Sequence, residues 1–146
     1  MLIERRPVTD PELTSLVLAQ QRELREAGDD IVYAVRDGAA HLVCVTDGRA
    51  VACGGWQPLE PGVAELKRMY VRPAYRGRGI ARQLVVALEE EALAAGYPVL
   101  RLETGTYLAA AIALYRSAGY VPIPVYGEYV GNPLSICFEK RLPVPA

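Results

Sequence analysis

The chain has 146 residues, of which 51% are hydrophobic and 23% are charged, and its formal net charge at pH 7 is −1. This length suits one domain with a single core, which we assign to residues 1–146, and the apolar fraction excludes a disordered chain. The near-neutral charge argues against a general nucleic-acid-binding protein. Residues 1–6 lack the order of a secretion signal, and no apolar run reaches the roughly 18 residues of a membrane span. We therefore expect a cytoplasmic protein with no membrane partner.

The N-terminal part of the chain predicts a strand and then a helix. Residues 2–8 alternate weakly between apolar and polar side chains, as in a strand. Asp10 and Pro11 form a favourable helix start, because the carboxylate caps free N–H groups and proline suits the first helical position. Apolar side chains then recur at helical spacing as far as Leu24, and Gly28 ends the helix.

A β-hairpin is predicted in the next segment. Residues 31–35 are ambiguous between strand and loop. Strand-like runs at 41–46 and 49–57 flank Asp47-Gly48, a dipeptide typical of two-residue hairpin turns. The segment Pro58–Gly62 predicts the following turn.

The second half of the chain alternates strands with helices. The predicted elements are a strand at 63–71, a helix from about 79 to 95, a strand at 99–103, a helix at 108–118 and a strand at 136–140. Glycine ends both helices, as is common after a last helical turn. Three prolines predict a loop or a kinked edge strand before the final strand: Pro122, Pro124 and Pro133.

The cysteines and the single histidine do not form a metal site. Cys44, Cys53 and Cys137 are odd in number, lack C-x-x-C spacing and lie in apolar runs. We therefore expect no metal, and we expect the cysteines to be small core residues. His41 begins a strand-like run, and we expect it at the surface.

The junction at residues 71–81 carries the strongest functional signal. Two glycines and two arginines, Arg76 to Gly79, separate a strand from a helix start, where free N–H groups and the helix dipole attract anions. Arginine adds forked donors, so residues 76–81 (the cradle) suit a phosphate. A glycine turn before a surface helix is the plainer interpretation of the same six residues.

Two common phosphate motifs do not fit the cradle. A P-loop needs a Lys-Ser or Lys-Thr pair after its glycines, and none follows here. A dinucleotide fingerprint needs a third glycine, and Arg82 stands at that position.

The cradle instead resembles the pyrophosphate motif Arg/Gln-x-x-Gly-x-Gly/Ala of the GCN5-related N-acetyltransferase (GNAT) family, through Arg76, Gly79 and Ala81. Residues 65–71 are similar to the strand that precedes this motif. Residues 111–120 resemble a second family signature, a helix that carries Leu-Tyr and closes with Gly-aromatic. The resemblance extends over residues 43–142.

The resemblance implies an α/β fold with a mixed, mostly antiparallel sheet and helices on both faces. In the family, the strand before the cradle splays away from the next strand, and acyl-coenzyme A lies in the gap. Glu65, Lys67 and Arg68 on one central strand would be unusual in a sealed core, and they fit a strand that borders such a cleft.

The resemblance also implies site residues for acetyl-coenzyme A as co-substrate. Main-chain groups near the thioester would come from Met69, Tyr70 and Val71, and the diphosphate would be held by Arg76, Gly77, Arg78, Gly79, Ile80 and Ala81. Tyr115 matches the tyrosine that protonates the departing thiolate, with a core tyrosine on an apolar helix face as the alternative. Glu65 is the nearest candidate for the base, with a solvated or arginine-paired carboxylate (partner Arg68 or Arg101) as the alternative.

One position departs from the family pattern. Many members have an asparagine three residues before the alanine of the second signature, where this chain has Leu108. That cofactor contact is therefore absent, or Thr104 or Thr106 replaces it.

The acceptor pocket of such a fold would come from residues 25–33 and 125–134. Within the second segment, Tyr126, Glu128 and Tyr129 could hold a cation, or could cover a sheet edge. Trp56 is ambiguous between core and pocket wall.

The resulting prediction is an N-acetyltransferase that moves an acetyl group from acetyl-coenzyme A to a small-molecule amine in a ternary complex. The alternatives are a protein lysine or N-terminal acetyltransferase and a non-catalytic acyl-coenzyme A sensor. Homodimers are common among members, and no residue of this chain decides that question.

Overall fold

The computed structural model of the protein describes residues 1–144. The strands are β1 (Leu2–Arg6), β2 (Ala40–Thr46), β3 (Arg49–Glu60), β4 (Val63–Val71), β5 (Val99–Gly105), β6 (Val121–Ile123) and β7 (Ser135–Arg141). The α-helices are α1 (Pro11–Glu26), α2 (Ile80–Ala94) and α3 (Ala109–Ser117). Within these residues, no helix is both long enough and apolar enough to cross a membrane.

The strands form one sheet in the order β1-β2-β3-β4-β5-β7-β6. Every neighbouring pair is antiparallel except β4 and β5, which are parallel. These two strands pair only from Val63–Glu65 to Val99–Arg101 and then separate. Among the described residues, the rest of this edge of β4 therefore has no strand partner, and the predicted splay is confirmed.

A β-bulge in β4 lies beside this gap. The register with β3 passes from Cys53–Tyr70 to Gly55–Lys67, so that β4 contains one extra residue. Arg68 occupies the bulge with φ 61°, a left-handed conformation that is uncommon outside glycine. The bulge therefore changes which side chains of β4 face the gap.

The helices cover both faces of the sheet. Asp10 caps α1 by accepting a 2.9 Å hydrogen bond from the Leu13 N–H, as the sequence predicted, and α1 packs against Val43. α2 packs against the opposite face, which carries Cys44 and Trp56. Trp56 is 7% exposed and its indole N–H donates to Glu91, so it is a core residue.

Most predicted element boundaries agree with the structure to within a few residues. Asp47 and Gly48 both have positive φ, which identifies the predicted two-residue hairpin turn. The prediction of a turn over Pro58–Gly62 was too long, because β3 continues to Glu60. Residues 31–35 form no regular element, and β6 is the kinked edge strand that the prolines predicted.

The surface position predicted for His41 was wrong. The side chain is 4% exposed, because β2 is an internal strand and Gly55 on β3 leaves room for the ring. A Cβ atom on Gly55 would lie 2.8 Å from the ring. Burial lowers the pKa of His41, and the positive charge of Arg68 lowers it further. The three cysteines are buried, as predicted.

His41 gives a pH-dependent stability. Its folded pKa is below the ordinary value of 6.5, so the unfolded chain binds more protons just below that pH. We expect the free energy of unfolding to fall as the pH drops below about 6.5, by at most about 1.4 kcal/mol per pH unit from this group. Urea denaturation of the wild type and of His41→Gln at pH 7.5 and 5.5 tests this. An equal fall in both proteins would contradict it.

Candidate active site

The gap between β4 and β5 opens into a groove of about 670 Å³. The end of β4, the cradle, the C-terminal half of α1 and one face of α3 form its walls. Eight of the nine residues that the sequence predicts for the cofactor line it: Met69, Tyr70, Val71, Arg76, Gly77, Gly79, Ile80 and Ala81. The ninth, Arg78, is exposed and stacks on the Tyr75 ring at 5.1 Å.

The cradle presents free backbone donors to the groove. Gly77 and Gly79 both have φ of 77°, a left-handed conformation that glycine adopts without strain. Gly79 immediately precedes α2, and no side chain caps the first N–H groups of that helix. Arg76 donates to the Val71 carbonyl at 2.9 Å and pairs with Glu23 at 2.8 Å, which fixes its guanidinium at the rim. The arrangement suits an anion at the helix start.

A smaller cavity of about 160 Å³ adjoins the groove. The two spaces share Met69, Leu108 and Tyr115 in their walls. The smaller cavity is more polar, and its charged lining residues are Asp29, Lys67, Arg68 and Glu103. A ligand in the groove and another in this cavity would therefore meet beside Tyr115.

Tyr115 is held rigidly between the two spaces. The side chain, on α3, is 5% exposed, and its ring packs against Tyr120 at 5.9 Å and Phe138 at 6.5 Å. Burial raises the pKa of Tyr115, and the negative charge of Glu103 raises it further. The hydroxyl is therefore protonated at neutral pH, as an acid must be before it acts.

Glu65 lies outside both cavities. Its carboxylate is 2% exposed and accepts hydrogen bonds from Gln57 at 3.0 Å, Tyr129 at 3.1 Å and Tyr126. Neither arginine suggested by the sequence contacts it. The ammonium group of Lys67 lies 4.0 Å from it and donates to the Tyr129 hydroxyl at 2.9 Å. Tyr129 thus separates Glu65 from the smaller cavity, which it lines.

The three residues predicted for the acceptor occupy different positions. Tyr129 lines the smaller cavity, whereas Tyr126 lies behind it with its hydroxyl on Glu65. Glu128 lies 3.9 Å from the Lys67 ammonium group and has a side chain 44% exposed. The structure therefore brings the two tyrosines together on one carboxylate.

The comparison with known families decides the assignment. The profile of the Acetyltransferase (GNAT) family matches residues 9–120. The chain belongs to the GNAT family. An Azospirillum brasilense protein named IAA acetyltransferase is 45% identical over 102 residues, covering 69% of this chain and 67% of that protein. An L-methionine sulfoximine/L-methionine sulfone acetyltransferase from Pseudomonas aeruginosa is 37% identical over 94 residues, covering 60% of this chain and 53% of that protein.

A solved structure extends this agreement over nearly the whole chain. A Klebsiella pneumoniae protein assigned as an acyl-CoA N-acyltransferase superposes with a TM-score of 0.85, at 34% identity and with 97% of each chain covered. This chain spans 58% and 61% of the length of two further relatives, from Escherichia coli and Bacillus subtilis. The predicted family, fold class and enzyme class, an acetyl-coenzyme A-dependent acyltransferase, are confirmed.

Leu108 occupies the position where many GNAT members have asparagine. It immediately precedes α3, no side chain caps that helix start, and Leu108 lines both spaces. Of the two suggested replacements, Thr104 lines the smaller cavity. Thr106 is exposed and lines neither space, and its N–H donates to Leu134.

The sequence did not single out three charged residues of this GNAT site. Lys67 and Arg68 were noted as unusual for a central strand and as fitting a strand that borders a cleft, and Arg68 was also suggested as a partner of Glu65, whereas Glu103 was not noted. The sequence could have indicated Glu103, because this carboxylate lies on β5, the strand next to the β4 strand that carries Lys67. Burial raises the pKa of Glu103 and lowers the pKa of Lys67.

Proposed function

We propose that this GNAT protein transfers an acetyl group from acetyl-coenzyme A to a primary amine of a small molecule, by direct attack in a ternary complex. The observation that carries the proposal is the meeting of two spaces at Tyr115, a long groove that ends in an anion cradle and a small polar cavity. A transfer between two bound substrates needs this arrangement.

The groove suits the coenzyme. Its cradle end offers the free N–H groups of α2 to a diphosphate, and its other end reaches Tyr115. The unpaired edge of β4 can hydrogen-bond an extended arm, as a strand partner would. Main-chain dipoles near Met69 would stabilise negative charge that develops on the thioester oxygen.

Tyr115 would act as the acid. The amine nitrogen forms a bond to the thioester carbon, the C–S bond breaks, and the thiolate takes the hydroxyl proton of Tyr115. The proton lost by the nitrogen returns Tyr115 to its resting form. An ordinary phenol has a pKa of about 10 and a thiol a pKa of about 8.5, and burial raises the pKa of Tyr115 further, so the transfer depends on position rather than on acidity.

Direct attack is favoured over an acetylated cysteine. Cys53 is fully buried, and burial raises the pKa of its thiol to about 12. Burial also raises the pKa of Cys44 and Cys137. A nucleophilic cysteine needs the opposite, an accessible thiol with a lowered pKa.

A small acceptor is favoured over a protein lysine or N-terminus. The cavity beside Tyr115 is only about 160 Å³, and the Tyr107 hydroxyl donates to Asp29 at 2.7 Å across its wall. The Pseudomonas relative is named for acting on amino-acid derivatives. A non-catalytic sensor would not need the smaller cavity.

Glu65 would act on this site indirectly, by positioning Tyr129 and Lys67.

The glycine at the start of α2 provides a test of the coenzyme site. Gly79→Val adds a side chain at positive φ, and we expect it to weaken coenzyme A binding by about 10-fold or more, since the strain of roughly 1–2 kcal/mol distorts the cradle. Gly96→Val is the matched control, because Gly96 has φ 96° at the far end of the same helix with an open surrounding. Calorimetric titration measures both. Equal loss of binding in the two variants would contradict the assignment.

The proposed function is tested by mass-spectrometric detection of acetylated products. The protein and acetyl-coenzyme A are incubated with a panel of amino acids, polyamines, aminoglycosides and lysine peptides. We expect a small-molecule product formed with release of one coenzyme A per acetyl group. A peptide product alone would favour the protein acetyltransferase, and tight coenzyme binding with no product would favour the sensor.

A further inference from the structure

The smaller cavity contains charges of both signs that have no ionic partner among the described residues. Among residues 1–144, no carboxylate oxygen lies within 4 Å of the Arg68 guanidinium, and no cationic nitrogen lies within 4 Å of the Glu103 carboxylate. Both side chains are partly buried. A charge kept away from water without a partner is costly, so two such charges in one cavity indicate a ligand of matching charge.

The two other charged groups of the cavity, Lys67 and Asp29, have polar contacts within the protein. Lys67 donates to Tyr129 and lies about 4 Å from Glu65 and Glu128. Asp29 accepts from the Tyr107 hydroxyl at 2.7 Å. Arg68 is therefore the cation with donors left for a ligand, and of the two carboxylates Glu103 is the one whose charge acts on Tyr115.

Arg68 has donors to spare. Its Nη2 donates to the Tyr33 carbonyl at 3.3 Å, which steadies the guanidinium and leaves most of its five N–H groups free. Burial lowers the pKa of Arg68, as it does for a cation that is partly removed from water. A planar guanidinium of this kind suits a carboxylate ligand, which it can bind through two parallel hydrogen bonds.

Glu103 lies on the side of the cavity where the chemistry would occur. Its Oε2 accepts from the Ser135 hydroxyl at 2.6 Å, which leaves Oε1 without a side-chain partner among the described residues. The negative charge of Glu103 helps to raise the pKa of Tyr115. Because Glu103 and Tyr115 line the same small cavity, Glu103 is placed to accept a hydrogen bond from an ammonium group beside Tyr115.

We infer that the acceptor is a small amino acid, with its carboxylate on Arg68 and its ammonium group on Glu103. This inference rests on the proposed function and names its substrate class. The ammonium nitrogen gives one proton to Glu103, and the free amine then attacks the thioester carbon. The C–S bond breaks, Tyr115 protonates the thiolate, and the nitrogen's remaining excess proton restores Tyr115. Glu103 releases its own proton to solvent after the product leaves.

The substrate test compares three forms of the best amino-acid acceptor. These are the amino acid, its carboxamide and the decarboxylated amine, with kcat/KM measured from the acetylated product. We expect kcat/KM to fall by about 30-fold or more when the carboxylate is removed or neutralised, since a charge-assisted pair contributes roughly 2 kcal/mol. Equal kcat/KM for the three forms would overturn the inference while leaving the acetyltransferase intact.

Two variants assign the charges to residues. Arg68→Asn keeps a residue that tolerates positive φ, and we expect it to lower kcat/KM for the amino acid by about 30-fold relative to the decarboxylated amine, which abolishes the preference for the carboxylate. Glu103→Gln keeps an acceptor for Ser135, and we expect it to lower kcat about 100-fold for all three forms without changing acetyl-coenzyme A binding. Arg68→Lys is the charge-retaining control.

The possible outcomes distinguish a failure of the inference about the acceptor from a failure of the proposed acetyltransferase function. Arg68→Asn protein that binds acetyl-coenzyme A normally and still prefers the amino acid would overturn the role of Arg68. Glu103→Gln protein with unchanged kcat would overturn the role of Glu103. If acetyl-coenzyme A binds to the wild type and no amine is acetylated, both the inference and the proposed function fail.

Discussion

Replacing Tyr115 by phenylalanine is expected to lower kcat by about 100- to 1,000-fold, within the range typical of losing a positioned acid. The ring would keep its packing against Tyr120 and Phe138, so the fold and the coenzyme site should be preserved. The departing thiolate would have to take its proton from water. Steady-state kinetics with the best acceptor measures the change, and calorimetry measures acetyl-coenzyme A binding, which should stay within about twofold.

Tyr120→Phe is the matched control for this variant. Tyr120 neighbours Tyr115 in the same core, but its hydroxyl donates to Glu89 at 2.8 Å and lines neither cavity. We expect Tyr120→Phe to lower the free energy of unfolding by about 1–2 kcal/mol and to leave kcat within about threefold, since it loses a buried hydrogen bond and no reacting group. A Tyr115→Phe enzyme as active as Tyr120→Phe would contradict the acid role.

Replacing Glu65 by alanine is expected to cost about 3 kcal/mol of folding free energy, measured by urea denaturation. Its carboxylate accepts three side-chain hydrogen bonds inside the core, and its removal leaves two tyrosine hydroxyls and the Gln57 amide without their acceptor. It also removes one of the two carboxylates that lie within 4 Å of the Lys67 ammonium group among the described residues, and the other, Glu128, is partly exposed.

Two further variants make the Glu65 result interpretable. Glu60→Ala removes a carboxylate that is 53% exposed and lies 3.4 Å from Arg101, and such a pair should contribute less than about 1 kcal/mol. Glu65→Gln retains the shape of the side chain, and we expect its kcat to stay within about 10-fold of wild type if Glu65 only positions Tyr129. A well-folded Glu65→Gln protein with a kcat lowered 1,000-fold would instead support Glu65 as the base.

Local signals explain what the sequence predicted well. The start of α1 depends on Asp10 and Pro11, and the first hairpin depends on Asp47-Gly48, so each is encoded within a few residues. The cradle is also local, since it needs only glycines before a helix. Eight of the nine residues predicted for the cofactor, in the cradle and at the end of β4, line the groove for that reason.

Long-range pairing explains what the sequence did not predict. The partners of Glu65 on the C-terminal side are separated from it by more than 60 residues, and Arg101, suggested as a partner, pairs with Glu139 and Glu60 instead. His41 is buried because the register sets it opposite Gly55, which no local pattern reveals.

Of the features of the site, the bulge in β4 is the hardest to predict from sequence patterns. A strand pattern alternates faces strictly, and one extra residue at Arg68 reverses the alternation beyond it. Nothing in the amino-acid type predicts positive φ at an arginine. The bulged conformation of Arg68, which lines the smaller cavity, therefore became visible only in the structure.

A crystal structure of the protein with coenzyme A tests the central claim most directly. The proposed arrangement predicts the diphosphate on the N–H groups of the cradle and the sulfur within hydrogen-bonding distance of the Tyr115 hydroxyl, with the smaller cavity open beside it. A coenzyme bound outside the gap between β4 and β5, or a sulfur distant from Tyr115, would contradict the proposed arrangement of the active site.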